Sequence, residues 1–328
     1  MINTTVVGSY PKPPSGENPG ASIPFELRRV LRSLEKGEAS VEDLHQAQDR
    51  LVTEVISEQE EAGVDEVTDG HVRWDDLVTP FASHMAGIEL SGLLRYFDNN
   101  VYYRRPVCVG PVEWRGPASV DAWRYADSVA TKPVKAVIPG PLTIARLSLD
   151  DHYSSHEKFV LALARVLAQE AFELEAAGAR IIQIDEPALL DAPEDLPLAK
   201  RALDAVVAEL KLPQVVLATY FSDAKRLGAE LFDMPADVFH LDFVSGPENE
   251  ELISLIPPES KLQAGVLDSR NTLLESASDV SAVVLRLFEA MGPDRLSLAP
   301  SAGLEFLPRD KARSKLERLT QIARRAGE

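Results

Sequence analysis

Short runs of β-branched and aliphatic residues alternate along this chain with longer runs whose apolar positions recur every three or four residues. The first pattern reads as buried strands, the second as amphipathic helices. Eight short runs stand out: Thr4–Val7, Val64–Val67, Val134–Ile138, Arg180–Ile184, Val215–Ala218, Val238–Leu241, Leu262–Val266 and Leu296–Ala299. Helical stretches separate most of them. That alternation predicts a parallel sheet with crossover helices. Eight βα units predict an α/β fold of the (β/α)8 TIM-barrel type. An open, doubly wound sheet is the rival, and it has no need of an eighth strand.

Three helices are written most clearly. Ser40–Ala62 carries Val41, Leu44, Leu51, Val55 and Ile56 on one expected buried face. Ser40 with Asp43 three residues on resembles a capping box, and Gly63 ends the helix. Glu157–Ala177 repeats the plan, with Gly178 as its stop, and a last helix runs over 309–326. Two segments break the pattern. Lys12–Pro24 is rich in Pro, Gly and Ser and reads as a mobile loop after the first strand. Gly87–Pro117 contains Tyr102, Tyr103, Val107, Val109 and Trp114 in alternation, and reads as a β-hairpin insertion between units two and three. Neither is long enough for a second domain, so residues 1–328 are read as one.

Composition narrows the function. The chain has 328 residues and a formal net charge of −18, which argues against a nucleic-acid footprint and, less strongly, against an anionic membrane surface. Cys108 is the only cysteine, so neither an intrachain disulfide nor a cysteine-rich metal site is expected. No apolar stretch is long enough to span a bilayer, and the first residues lack the pattern of a secretory leader. The expected location is the cytoplasm and the expected partner a small-molecule substrate, with a partner protein or a homo-oligomer also open.

A barrel of this kind carries its chemistry at the C-terminal ends of the strands. Polar, Gly or Pro residues follow all eight runs. Among them are Gly8-Ser9, Asp69-Gly70-His71-Val72-Arg73, Gly140-Pro141, Asp185-Glu186-Pro187, Thr219-Tyr220, Asp242, Ser269-Arg270 and Ser301-Ala302-Gly303. Loops are polar anyway, so one such end means little. Asp185-Glu186 is the sharpest feature. Strand alternation sends one carboxylate inward and the other toward a neighbour. The inward one can act as acid or base or hold a cationic group; the bland rival is a helix cap with a salt bridge.

At these residues the chain resembles the cobalamin-independent methionine synthase family. The stretches that carry the likeness are VVGSYPKP, AGVDEVTDGHVRWDD, KAVIPGPLT, AGARIIQIDEPAL, HLDFVSG, AGVLDSRN and LSLAPSAGLEFLPRDKARSKLERL, in order along nearly the whole chain. The resemblance implies methyl transfer from a methylated folate, or a methylcorrinoid, to a thiol such as homocysteine. It places Ser9 and Asp185 against the amino-acid substrate, and Asp69, Arg73, Gln183 and Glu186 near the pocket. Family members bind zinc through a His-x-Cys pair after strand five, a Glu after strand six and a Cys after strand eight. Here those places map to Ala218, Tyr220, Asp242 and Ala302. Zinc is therefore not expected through the family ligands, and no cofactor is certain. His240 lies near Asp242 but is read as facing the other side of its strand. Parts of the chain look closer to the zinc-free N-terminal barrel of the long family enzymes.

Two functions follow. One is a methyltransferase in which Asp185, Tyr220, Asp242 and Arg270 line the reacting centre. The other is a non-catalytic, folate- or partner-binding barrel assisting a separate catalytic subunit. A decarboxylase of the uroporphyrinogen type ranks last, because the cluster of arginines it would use after strand one is missing.

Overall fold

The computed structural model describes residues 1–13, 24–97, 99 and 101–326. Most of the loop expected at Lys12–Pro24 lies outside the described residues. Among the described residues ten strands are formed: β1 (Asn3–Thr4), β2 (Met85–Arg95), β3 (Tyr102–Trp114), β4 (Ala136–Pro139), β5 (Leu149–Asp150), β6 (Ile181–Asp185), β7 (Gln214–Ala218), β8 (Val238–Asp242), β9 (Lys261–Leu267) and β10 (Leu296–Pro300).

Seven of them form a curled, all-parallel sheet in the order β1-β10-β9-β8-β7-β6-β4. Parallel sheets are covered on both faces, so their strands are apolar throughout. Residues 64–67 touch both edges of this sheet. Thr5 bridges to Glu66, and Val67 bridges to Val134, both in parallel sense. The Val67 carbonyl also accepts from Lys135 N at 2.9 Å. Val64 and Val67 are wholly buried, so the short run is fixed by packing as well as by pairing.

The helices follow the sequence closely. Helix Val41–Glu61 begins at Ser40 with a complete capping box to Asp43. Its buried face is Ala47, Leu51, Val52, Val55, Ile56 and Gln59. Val41 departs from the expected face and is 55% exposed, because it sits in the first turn, before the helix reaches the sheet. Gln59 has a positional role: its amide donates to Thr68 O at 3.0 Å and accepts from Thr68 N at 3.1 Å. Both bonds pin the loop that follows residue 67. Helix His156–Ala177 ends at Gly178, whose φ of 114° is open to glycine and strained for other residues. A helix at Phe25–Glu35 was not written clearly in the apolar pattern.

Outside the parallel sheet, β2 and β3 pair antiparallel, from Met85 with Trp114 to Arg95 with Tyr102. β5 adds to β3 in parallel sense, an addition its two residues gave no sign of. Among the described residues no helix is long and apolar enough to cross a membrane.

Candidate functional site

The C-terminal ends of the parallel strands converge on one polar region, and Asp185 lies at its floor. Asp185 is the last residue of β6 and only 3% exposed. Its Oδ1 accepts from Gln183 Nε2 at 2.6 Å, and its Oδ2 accepts from the Tyr220 hydroxyl at 2.9 Å. Gln183 stands two residues earlier on the same strand, so it shares the inward face. Its Nε2 also donates to Val7 O at 2.6 Å, while its Oε1 is buried without a partner. Burial pushes the Asp185 carboxyl up to about 7; the hydrogen bonds from Gln183 and Tyr220 and the charge of Lys135 resist that rise. Burial and the Asp185 charge push Tyr220 well above the ordinary phenol range.

Glu186 turns the other way. Its carboxylate accepts from Leu142 N at 3.2 Å and from Thr143 N, capping the helix Pro141–Leu147. Burial raises it to about 7 as well. It is a scaffold for the Gly140-Pro141 turn and does not reach the substrate side.

Lys135 lies beneath Asp185 and is fully buried. Its ammonium donates to Val6 O at 2.6 Å, and to Thr5 Oγ1 and Gln263 Oε1, both at 3.3 Å. All three acceptors are neutral, and burial lowers the amine to about 8. Gln263 Nε2 in turn meets His240 Nδ1 at 3.0 Å, and His240 Nε2 meets Ser301 O at 3.1 Å. An amide NH2 only donates and a carbonyl only accepts, so Nε2 of His240 carries the proton. Burial lowers this histidine to about 4. His240 thus turns inward, on the same face as Asp242, which corrects the outward orientation expected for it. Both its nitrogens are in use.

Asp242 is spent on backbone. Its Oδ1 accepts from Val244 N and Ser245 N, each at 2.8 Å, and its Oδ2 from Phe221 N at 3.1 Å. It shapes the loops after β7 and β8. Arg270 stands at the rim. It donates to Ser245 Oγ at 2.7 Å and to Asn99 Oδ1 at 3.3 Å, and its guanidinium lies 5.1 Å from the centre of the Phe221 ring. Among the ion pairs of the described residues it has no carboxylate partner.

The remaining expected residues divide. The Ser9 hydroxyl donates to the Glu305 carboxylate, and a Cβ on Gly303 would collide with both groups. Asp69 is buried and accepts from His71 N at 2.9 Å. Arg73 leaves the site: it pairs with Asp49, contacts Gln48 at 3.4 Å and lies over the Tyr125 ring. Its partners belong to the outer helices, so it fastens the loop from outside.

Several further residues of these loops carry no clear signal in the sequence. Glu305 is pushed up by burial, against the Ser9 hydrogen bond. Lys12 donates to Trp74 O and is lowered by burial. His71 lies tilted against Trp74 with ring centres 4.1 Å apart, has Nε2 buried without a partner among the described residues, and is lowered to about 3 by burial. Tyr96 and Phe97 reach over from the β2–β3 pair to pack against Phe221. His71, Phe97 and Phe221 all hold positive φ, of 51°, 46° and 80°. Strain of that kind gathers where a site is held in shape by its surroundings.

Val7, Ala218, Tyr220, Ala299 and Ala302 form a small apolar cluster of their own, with Phe221 against it. Among the described residues, no group of three or more His, Cys, Asp or Glu is placed to hold a metal ion.

The model of the family described as "Cobalamin-independent synthase, Catalytic domain" matches residues 2–325. This chain belongs to that family. The methionine synthase of Sulfurisphaera tokodaii is 33% identical over 318 residues, covering 96% of this chain and 90% of the relative. That of Thermococcus kodakarensis is 30% identical over 326 residues, with 96% and 90% covered. Among solved structures, a B12-independent methionine synthase from Shewanella sp. W3-18-1, in complex with selenomethionine, superposes with a TM-score of 0.86 at 24% identity, covering 100% of this chain and 98% of that one. A methyltransferase from Methanosarcina mazei gives 0.65 at 15% identity, covering 98% and 95%. The family match runs along nearly the whole chain, from residue 2 to residue 325.

Proposed function

We propose that this protein is a methionine-synthase-type methyltransferase that moves a methyl group from a methylated folate or corrinoid to a thiol such as homocysteine, without the family's zinc. The observation that carries the reading is the buried Gln183–Asp185–Tyr220 chain, whose carboxyl sits near 7. A free thiol ionises near pH 8.5, at about 8.5 on the usual scale, and only the thiolate is a good nucleophile. Ionised Asp185 takes the thiol proton, directly or through Tyr220. The sulfur lone pair then forms the new S–C bond as the donor's bond to the methyl group breaks. For a folate the bonding pair stays on the ring nitrogen, which takes up the proton held at Asp185. With the folate nothing is oxidised or reduced; with a methylcorrinoid the bonding pair would stay on the cobalt, which would pass formally from Co(III) to Co(I), and the thiol proton would leave Asp185 for solvent. Gln183 Oε1 and His71 Nε2, buried and unpartnered, are left to accept from the substrate amino group. Arg270 meets an anionic part of the donor.

The places that the family resemblance gives to zinc do not fit the ion. Two are methyl groups in the apolar cluster, the third is a phenol engaged with Asp185, and the fourth is a carboxylate engaged with three backbone N–H groups. Zinc needs three or four free N, S or O donors, so thiol activation here is assigned to Asp185.

The same reading completes the architecture. Residues 64–67, bridged to both sheet edges, serve as the eighth strand of a (β/α)8 barrel, and β2–β3 is an insertion between its second and third units. Residues 1–328 act as one domain. A thiol substrate that must stay reduced suits the cytoplasm.

The test is direct. Purified protein is incubated with homocysteine and either methyltetrahydrofolate or methylcobalamin, and methionine is measured by mass spectrometry. Turnover that the Asp185→Asn variant loses supports the proposal. No methionine with either donor, together with donor binding, would leave the non-catalytic binding barrel as the better reading.

A further inference from the structure

The β2–β3–β5 sheet presents a free edge. Among the described residues β2 has a neighbour on one side only, and all seven residues from Glu89 to Arg95 are exposed. Leu90, Leu93 and Leu94 are among them, with Leu93 at 60% exposure. Natural edge strands are usually blunted with lysine, proline or an inward charge. This stretch, Glu89-Leu90-Ser91-Gly92-Leu93-Leu94-Arg95, has neither lysine nor proline.

The stretch is complementary to itself. Set antiparallel to a second copy about a twofold axis at Gly92, Glu89 of one copy faces Arg95 of the other, and Leu90 faces Leu94. The twofold makes each of these pairs occur twice, as an isologous contact requires. Shifting the register by one residue sets Glu89 against Leu94 and loses the charge match. Electrostatics also favour this place over the rest of the surface. The chain carries −18 overall, whereas this pair of strands holds Arg95, Arg104 and Arg105 against Glu89 and Glu113, so its own charge is slightly positive. Two copies repel each other least where that acidity is locally offset.

We propose that two copies of this chain join edge to edge through β2, giving a continuous six-stranded antiparallel-centred sheet with Gly92 on the twofold axis. The register of β2 on β3 shifts between Leu90 and Leu93, which bows the strand at Ser91–Gly92. A bulge weakens edge pairing, so the dimer is a reversible one that forms with rising protein concentration.

Gly92 offers a sharp test. A Cβ there meets nothing within 4 Å, and its φ lies outside the positive region, so cysteine fits. Across an antiparallel pair the two Cα atoms stand about 4.5–5.5 Å apart, within the reach of a disulfide. Cys108 is the only native cysteine and is buried, so it gives no background. Under mild oxidation Gly92→Cys gives a covalent dimer far faster than Val109→Cys, an exposed position on β3. Sedimentation of the full chain shows twice the chain mass at high concentration. Glu89→Arg sets arginine against arginine twice and weakens the dimer about tenfold. Adding Arg95→Glu restores it. A chain that stays monomeric throughout, equal cross-linking at both cysteines, or a Glu89→Arg dimer as tight as the parent's overturns the proposal.

Discussion

The Tyr220 hydroxyl and the Asp185 carboxylate meet at 2.9 Å, in a place closed to water, with Tyr220 as the donor. That bond favours the ionised carboxylate and holds back the rise that burial imposes. Removing the hydroxyl with Tyr220→Phe lets the Asp185 pKa climb further. If the ionised form is the base, activity rises with pH as Asp185 loses its proton. The pH–rate profile of Tyr220→Phe therefore moves to higher pH, while its ceiling is retained in part. A profile that keeps its midpoint would detach Asp185 from the rate.

Asp185→Asn keeps the shape and removes the base. Loss of a positioned general base costs about 10²–10⁴-fold in rate. Stability responds with the opposite sign. The folded carboxyl titrates at about 7, above its ordinary unfolded value of about 3.9. Between those values the folded state binds more protons than the unfolded one, so this group lowers stability as pH rises. The asparagine variant is spared that loss. Its stability relative to the parent therefore grows between about pH 4 and pH 7 and then levels off. Urea titrations of both proteins at four pH values measure it, and a flat difference would place Asp185 in a more polar setting.

His240 works against that trend. Its folded pKa of about 4 lies below its ordinary value of about 6.5. The unfolded state binds more protons there, so His240 adds stability as pH rises from about 4 to 6.5 and offsets part of what Asp185 removes. Replacing it with Gln removes this compensation but keeps a group able to meet Ser301 O and Gln263. The expected result is a steeper fall in stability across the same window, read by the same titrations. An unchanged slope would mean that His240 is already charged when folded.

What could be read from the sequence follows from periodicity. The run Ile181–Asp185 is buried on both faces, and alternation splits Asp185 from Glu186 without saying which turns inward; the structure gives that side to Asp185, with Gln183, and sets Glu186, expected near the pocket, on the backbone of helix Pro141–Leu147. The capping box at Ser40 and the stop at Gly178 were equally plain, because both rest on local chemistry. Alternation says which face a side chain takes, but not what the next loop offers it. The strand-end position of Asp242 therefore suggests the reacting centre, whereas three backbone N–H groups converge on it. The family resemblance puts Arg73 near the pocket, whereas Asp49 draws it outward. Glu305, Lys12 and His71 escaped notice because curling of the sheet, which no local pattern encodes, brings their loops together. Lys135 leaves one faint sign, a lone charge just ahead of the apolar strand Ala136–Pro139.

Arg270 separates binding from chemistry. It lies on the Phe221 ring at the rim and has no direct contact with Asp185 or Tyr220 among its hydrogen bonds. Its loss removes a contact made equally in the ground and transition states. Arg270→Ala therefore raises KM for an anionic donor about tenfold, with kcat nearly unchanged. Arg270→Lys keeps the charge but not the planar fork that reaches Ser245 and Asn99 together, and recovers only part of the affinity. Steady-state kinetics with the donor varied would settle it. A fall in kcat with constant KM would move Arg270 into the reacting centre.

Metal dependence gives the last test. The cluster of Val7, Ala218, Tyr220, Ala299 and Ala302 fills the region the family resemblance assigns to the ion with apolar carbon. Dialysis against a strong chelator is accordingly expected to leave both melting temperature and activity where they were. The complementary experiment rebuilds the donors with Ala218→His, Tyr220→Cys, Asp242→Glu and Ala302→Cys together. Such a set supplies one imidazole, two thiolates and a carboxylate, the donor types that tetrahedral zinc takes. The rebuilt protein is expected to hold about one zinc per chain and, with cobalt in its place, to show the visible absorption of a tetrahedral thiolate site. It also loses the Tyr220 bond to Asp185, so any thiol activation it keeps must come from the metal. Should the unaltered protein itself retain one zinc per chain after extensive dialysis, and lose activity when stripped of it, the assignment of thiol activation to Asp185 fails.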